Sequence, residues 1–166
     1  MSRFWPHTPY AEDQPFARSI LYTHVLTRAV QTGAVVGSGV GIATHLVRTL
    51  RKTALPAPLA TQLVRSSGVG AAVTTAIMLV GIPARMWGRE DIEWRDRSWR
   101  LLENEGQVEC DDWTYVGMLG GLVAGGRKGG WKGVTGRVGF GSLAGMAGYM
   151  GWRYGVKGGW KEEIVV

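Results

Sequence analysis

The sequence predicts an all-α membrane protein, with four Gly-rich transmembrane helices in two hairpins plus an amphipathic helix in the middle loop. Three observations carry this expectation. Four apolar runs without charge punctuate a chain of 166 residues that is 45% hydrophobic. Its 26 glycines fall largely inside those runs, often four residues apart. The net charge of +6 is gathered into two short loops that flank the runs.

The first run, 29–47, lies between Arg28 and Arg48, and the second, 66–84, between Arg65 and Arg85. Each has 19 residues, about 28 Å of helix at 1.5 Å per residue, which matches the hydrocarbon core. Pro83 falls near the end of the second, where it breaks few hydrogen bonds. The third and fourth runs are shorter, with 14 residues from Trp113 and 15 from Val138. Snorkelling of Arg127, Lys128 and Arg137 extends them to expected spans of 113–131 and 134–154, with Trp113 and Trp131 at the two interfaces. Residues 1–28 form an N-terminal segment, 29–154 the membrane domain and 155–166 a tail.

Residues four apart share a helix face, so small residues at that spacing form a groove for a neighbouring helix. Gly33, Gly37 and Gly41 form such a stripe in the first run, and Gly117, Gly121 and Gly125 in the third. The fourth run has Gly141 and Gly145. The second is weaker, with Gly68, Ala72 and Ala76.

The loops 48–65 and 127–137 together carry +8 and no acid, whereas 85–112 has five arginines against nine acids. By the positive-inside rule the two basic loops share one side and both termini the other. Arg48, Arg51, Lys52, Arg127, Lys128 and Lys132 are the expected contacts for anionic lipid headgroups, cardiolipin being the candidate in a mitochondrion. Within the middle loop, acid-to-base pairs at i,i+4 (Asp91–Arg95, Glu93–Arg97, Asp96–Arg100) predict a helix over about 88–105, ended by Gly106. Trp87, Trp94 and Leu101 recur every seven residues, which predicts one face lying on the membrane or on a partner protein.

No catalytic, cofactor or metal site is expected. His7, His24 and His45 lack metal-ligand spacing with one another or with Cys110. A single cysteine rules out an intramolecular disulfide. Gly139, Gly141 and Ala144 match G-x-G-x-x-A, but a dinucleotide site needs a preceding strand, and the sequence offers a basic turn instead. Lys128 and Lys132 sit in a Gly-rich stretch without the G-K-[ST] end of a phosphate loop. Basic loops beside apolar runs favour lipid over nucleic acid as the anionic partner.

Four short Gly-rich spans with base on one side resemble the four-helix family of mitochondrial inner-membrane translocase channels, which includes accessory subunits of respiratory complex I. The segment from Arg85-Met-Trp-Gly-Arg-Glu-Asp through Trp94 and Trp99 to Asp111-Asp112-Trp113 is similar to small fungal accessory subunits of mitochondrial NADH:ubiquinone oxidoreductase. This resemblance implies a multi-pass inner-membrane protein with basic loops in the matrix and both termini in the intermembrane space. It also implies a non-catalytic role beside core and accessory membrane subunits, with no catalytic residue to carry over. The lone Cys110 departs from translocase channels that carry an intramolecular disulfide. A translocase channel is the second expectation, and a soluble enzyme with a Gly-rich cofactor loop a distant third.

Overall fold

The computed structural model describes residues 4–54, 57–125 and 129–159. Over those residues the chain is helical, with five α-helices and no strand. They are α1 (Ala17–Leu50), α2 (Leu59–Arg85), α3 (Asp91–Glu103), α4 (Glu105–Gly125) and α5 (Gly130–Met150). A π-helical segment, Gly151–Val156, extends α5. Gly88, at φ 68°, supplies the left-handed residue that turns the chain from α2 toward α3, and Gly129, at φ 82°, does the same ahead of α5.

The helices are longer than the charge-free runs, or displaced from them. α1 begins at Ala17, twelve residues before the expected span, and α4 begins at Glu105 rather than at 113. A charge does not stop a helix; a turn residue or an unsatisfied cap does. Trp131 therefore opens α5 instead of closing the third span, and Lys132 and Arg137 also lie on α5. Arg127 and Lys128 lie outside the described residues.

Two helices, α1 and α2, are long and apolar enough to cross a membrane. The most apolar stretches of these two are only 28% and 22% buried within the chain. The core helix of a soluble protein would bury far more. α4 carries Glu105, Glu109, Asp111 and Asp112 in its first turns, and α5 carries Lys132 and Arg137, so neither offers comparable apolar length.

α1 packs against α2, α4 against α5, and the two hairpins join chiefly through α2 and α5. In the first seam, a Cβ added at Gly33 would overlap Thr74 and the Gly70 carbonyl; at Gly37 it would overlap the Ser66 carbonyl, and at Gly41 the Ser66 hydroxyl. In the second, Gly117 and Gly141 lie against each other's carbonyls, Gly121 against the Arg137 carbonyl, Gly125 under the Arg137 side chain and Gly145 against the Trp113 carbonyl. A third seam joins the hairpins: Gly68 meets the Lys132 carbonyl, Gly136 the Val64 carbonyl, and Gly139 the Ala34 methyl and Ser67 hydroxyl. These pairings make α1 and α4 parallel to each other and antiparallel to α2 and α5. The C-terminal ends of α1 and α4 thus share one end of the bundle with the N-terminal ends of α2 and α5.

Polar side chains complete the seams. Thr74 Oγ1 donates to the Ala29 carbonyl at 2.7 Å. Near the basic end, Gln62 Nε2 donates to the Gly41 carbonyl at 3.2 Å, and its Oε1 lies 3.2 Å from His45 Nδ1. His45 is thereby tied to α2.

Candidate functional site

The acidic end of the bundle is built on α1 residues that precede its apolar run. His24, Arg28 and Gln31 fall on one face of α1, because residues three and four apart are neighbours. Gln107, Asp111 and Thr114 fall likewise on one face of α4. The two faces meet. Asp111, fully buried, has His24 Nδ1 at 2.8 Å on one oxygen and Arg28 Nη2 at 2.7 Å on the other. Arg28 also donates to Gln31 Oε1 at 2.7 Å and to Gln107 Oε1 at 3.1 Å, and sits 3.6 Å from Cys110 Sγ. Gln31 Nε2 donates to Thr114 Oγ1 at 3.1 Å and to the Ser142 carbonyl on α5 at 3.5 Å. Deeper still, Ser142 Oγ donates to the Gly139 carbonyl at 2.6 Å.

A buried carboxylate is costly to desolvate and is tolerated only when it is paired and hydrogen-bonded. Here an imidazole and a guanidinium from α1 meet it, and the surrounding amides and hydroxyls extend the network to three helices. The result is a cross-brace between hairpins. Arg153, 3.6 Å from Glu109, adds a second link from the π-helical segment back to α4. Among the described residues, no group of three or more His, Cys, Asp or Glu side chains could hold a metal ion.

This network was not anticipated from the sequence, which treated Arg28 and Trp113 as span boundaries. The available signal was polar spacing: His24, Arg28 and Gln31 at helical intervals, matched by Gln107, Asp111 and Thr114.

The expected contact face on the middle helix is corrected. Trp87 lies in the turn before α3, not on it, so the seven-residue recurrence does not run along one helix. Trp94 is buried in the chain's own core with Ala17, Ile82 and Met86; it stacks on Tyr22 with 6.2 Å between ring centroids, and Arg18 lies over its ring. Leu101 is half-buried beside Ile20 and Leu102. The reason is the early start of α1, whose first turns offer α3 an apolar face. The N-terminal segment then wraps α3: Trp99 Nε1 donates to the Thr8 carbonyl at 2.8 Å, His7 stacks on Trp99, and Arg95 donates to the Glu12 carbonyl. Two of the expected charge pairs form, Asp91–Arg95 and Asp96–Arg100, each at 3.0 Å, while Glu93 reaches back to Arg89 at 3.4 Å.

Trp87 alone of the three is left outward, 85% exposed. Trp87→Ser is expected to leave the chain's own melting unchanged to within about 0.5 kcal/mol, as surface substitutions do, while lowering its recovery in a native assembly. Unchanged recovery in a native gel would remove Trp87 as a partner contact.

At the opposite end, Arg48, Arg51, Lys52 and Lys132 are all exposed. Arg48 and Arg51 line a shallow groove with Thr44 and Val47. Lys132 Nζ lies 5.5 Å from the centre of the Trp131 ring. Gly139 and Gly141, the glycines of the dinucleotide-like motif, lie inside α5 and pack against different helices, and no strand precedes them among the described residues.

A family model described as "Protein of unknown function (DUF1757)" covers residues 12–144. No curated protein and no solved structure matches the chain.

Proposed function

The chain belongs to the DUF1757 family of unknown function, and we propose, from its sequence and its packing, that it is a non-catalytic accessory subunit of mitochondrial respiratory complex I. In this reading it is a four-span protein of the inner membrane, packing against neighbouring membrane subunits and holding lipid between them. The observation that carries it is the inside-out distribution of side chains. Glycine and serine fill the seams, while Val36, Val40, Val80, Val116, Leu119 and Val123 point outward and are more than half exposed. In water such a surface would aggregate; in lipid it is the ordinary solvent-facing surface. The outward valines and leucine of α4 support that helix as a third span despite its acidic start, and α5, closed against it along a glycine seam, then spans as the fourth. The acids and the ionic brace lie toward the end opposite the basic residues, where headgroups and water begin.

The assignment to complex I is supported by the resemblance of the Arg85–Trp113 segment, and the mitochondrial address and topology follow from it. The buried centre, closed by Ala34, Ser67 and Gly139, favours a packing subunit over a translocase channel, which requires a polar path at mid-depth. Mild-detergent native gels of mitochondria, with mass spectrometry of the band that holds the chain, are expected to find it with subunits of the NADH:ubiquinone oxidoreductase. In intact mitoplasts, added protease is expected to remove a C-terminal tag. Comigration with translocase subunits would install the channel reading instead, and a protected tag would invert the topology.

A further inference from the structure

We infer that the C-terminal end of α1 is a built site for the phosphate of an anionic phospholipid, and that Lys52 is held in a strained conformation to serve it. The sequence offers only a count of charge in this loop; the structure gives a groove of about 580 Å³. Thr44, Val47, Arg48 and Arg51 line it from the helix end, and Thr53 from the returning chain. Three features specify the ligand. First, both guanidinium groups are available. Among the described residues neither has an ion pair, and no acid lines the groove. Guanidinium groups grip phosphate through paired charge-assisted hydrogen bonds. Second, the backbone fixes the cations relative to one another. Thr53 N–H donates to the Arg48 carbonyl at 3.0 Å, Thr53 Oγ1 to the same carbonyl at 3.1 Å, and Lys52 N–H to the Thr49 carbonyl at 3.1 Å. This is a Schellman closure, in which the left-handed residue is usually glycine. Third, that residue here is Lys52, at φ 53°. Its Cβ is crowded against the backbone there, and Phe16 is the one other non-glycine with a positive φ among the described residues. In a chain with 26 glycines, an exposed cation holds the strained position, and such an outlier points to a role for the side chain. Below the cations, Val47, Val40 and Val36 are exposed on one face of α1. They give an acyl chain a track that a free phosphate would not use.

The site rests on the membrane reading above, and the experiment separates the two. The full-length protein is reconstituted into nanodiscs of equimolar phosphatidylcholine and phosphatidylglycerol, and the lipid it retains is read by native mass spectrometry. Wild type is expected to retain phosphatidylglycerol preferentially. Arg51→Gln is expected to lower that retention about tenfold, the effect of one charge-assisted contact. Lys52→Gly is expected to lower it about fivefold, the effect of one cation near the headgroups. The same variant should melt higher than wild type, because glycine takes the left-handed conformation without strain. Lys132→Gln, at an exposed cation of the same end that lies outside the groove, should keep most of the retention. Equal losses at Arg51 and Lys132 show a diffuse field and overturn the site. Lys52→Gly that melts higher yet retains as much phosphatidylglycerol as wild type makes Lys52 a helix cap alone and overturns its role. Both outcomes leave the membrane reading standing. Displacement of the lipid by comparable concentrations of inorganic phosphate shows a phosphate site instead and overturns the lipid assignment. A chain that does not enter nanodiscs removes both readings.

Discussion

Asp111→Ala is expected to cost about 3–5 kcal/mol, the penalty for removing one partner of a buried ionic network and stranding the other. The carboxylate is fully buried, and it is what holds His24 and Arg28 of α1 against α4. Without it the Arg28 guanidinium keeps the Gln31 and Gln107 amides and the weak Cys110 thiol contact, none of them charged acceptors. Melting of the detergent-solubilised protein, followed by size-exclusion fluorescence, should fall on the order of 10 °C. A second variant separates charge loss from lost shape. Replacing the three residues together (His24→Leu, Arg28→Met, Asp111→Leu) removes the desolvation penalty along with the pairing, and should recover much of the stability. If Asp111→Ala melts with wild type, the brace contributes nothing and the hairpins are held by the seams alone.

Gly37→Leu and Gly121→Leu are expected to leave the chain in the membrane but to lose its packing, by about 1–3 kcal/mol each for overpacking. Leucine is as soluble in lipid as glycine, so insertion is unaffected. At Gly37 the first added carbon already overlaps the Ser66 carbonyl, and at Gly121 it overlaps that of Arg137. Backbone cannot yield as a side chain can, so the helices must separate. Gly39 supplies the contrast. It lies two residues from Gly37 on the same helix, and nothing comes within 4 Å of a Cβ built there. Gly39→Ala should be neutral or stabilising by up to about 1 kcal/mol, from helix propensity. Val36→Leu, on an exposed face, should also be mild. Assembly is read from the native-gel band and packing from the melt. Equal behaviour at Gly37 and Gly39 would make the stripe incidental.

Some of these features are local in origin and were legible in the residues themselves. Helical class follows from long apolar runs without strand alternation. The stripes of Gly33, Gly37 and Gly41 and of Gly117, Gly121 and Gly125 follow from four-residue spacing, which puts a groove on one helix face whatever the neighbour. The gathering of base at one end follows from alternating helix direction once the hairpins are recognised. Each of these is a matter of residues a few positions apart.

Which groove receives which ridge was decided only by the tertiary structure. The seam of Gly68, Gly136 and Gly139 joins residues of different hairpins; the three-residue recurrence of Gly133, Gly136 and Gly139 marks a face of α5 but not the helix that meets it. Asp111 and His24 are 87 positions apart. Read singly, each is a charge near the edge of an apolar run, and only their meeting turns a desolvation penalty into a brace. Trp94 shows the same limit in reverse. Its spacing from Trp87 and Leu101 was read as an outward face, yet a helix face is inward or outward only relative to what covers it, and α1 starts early enough to cover this one.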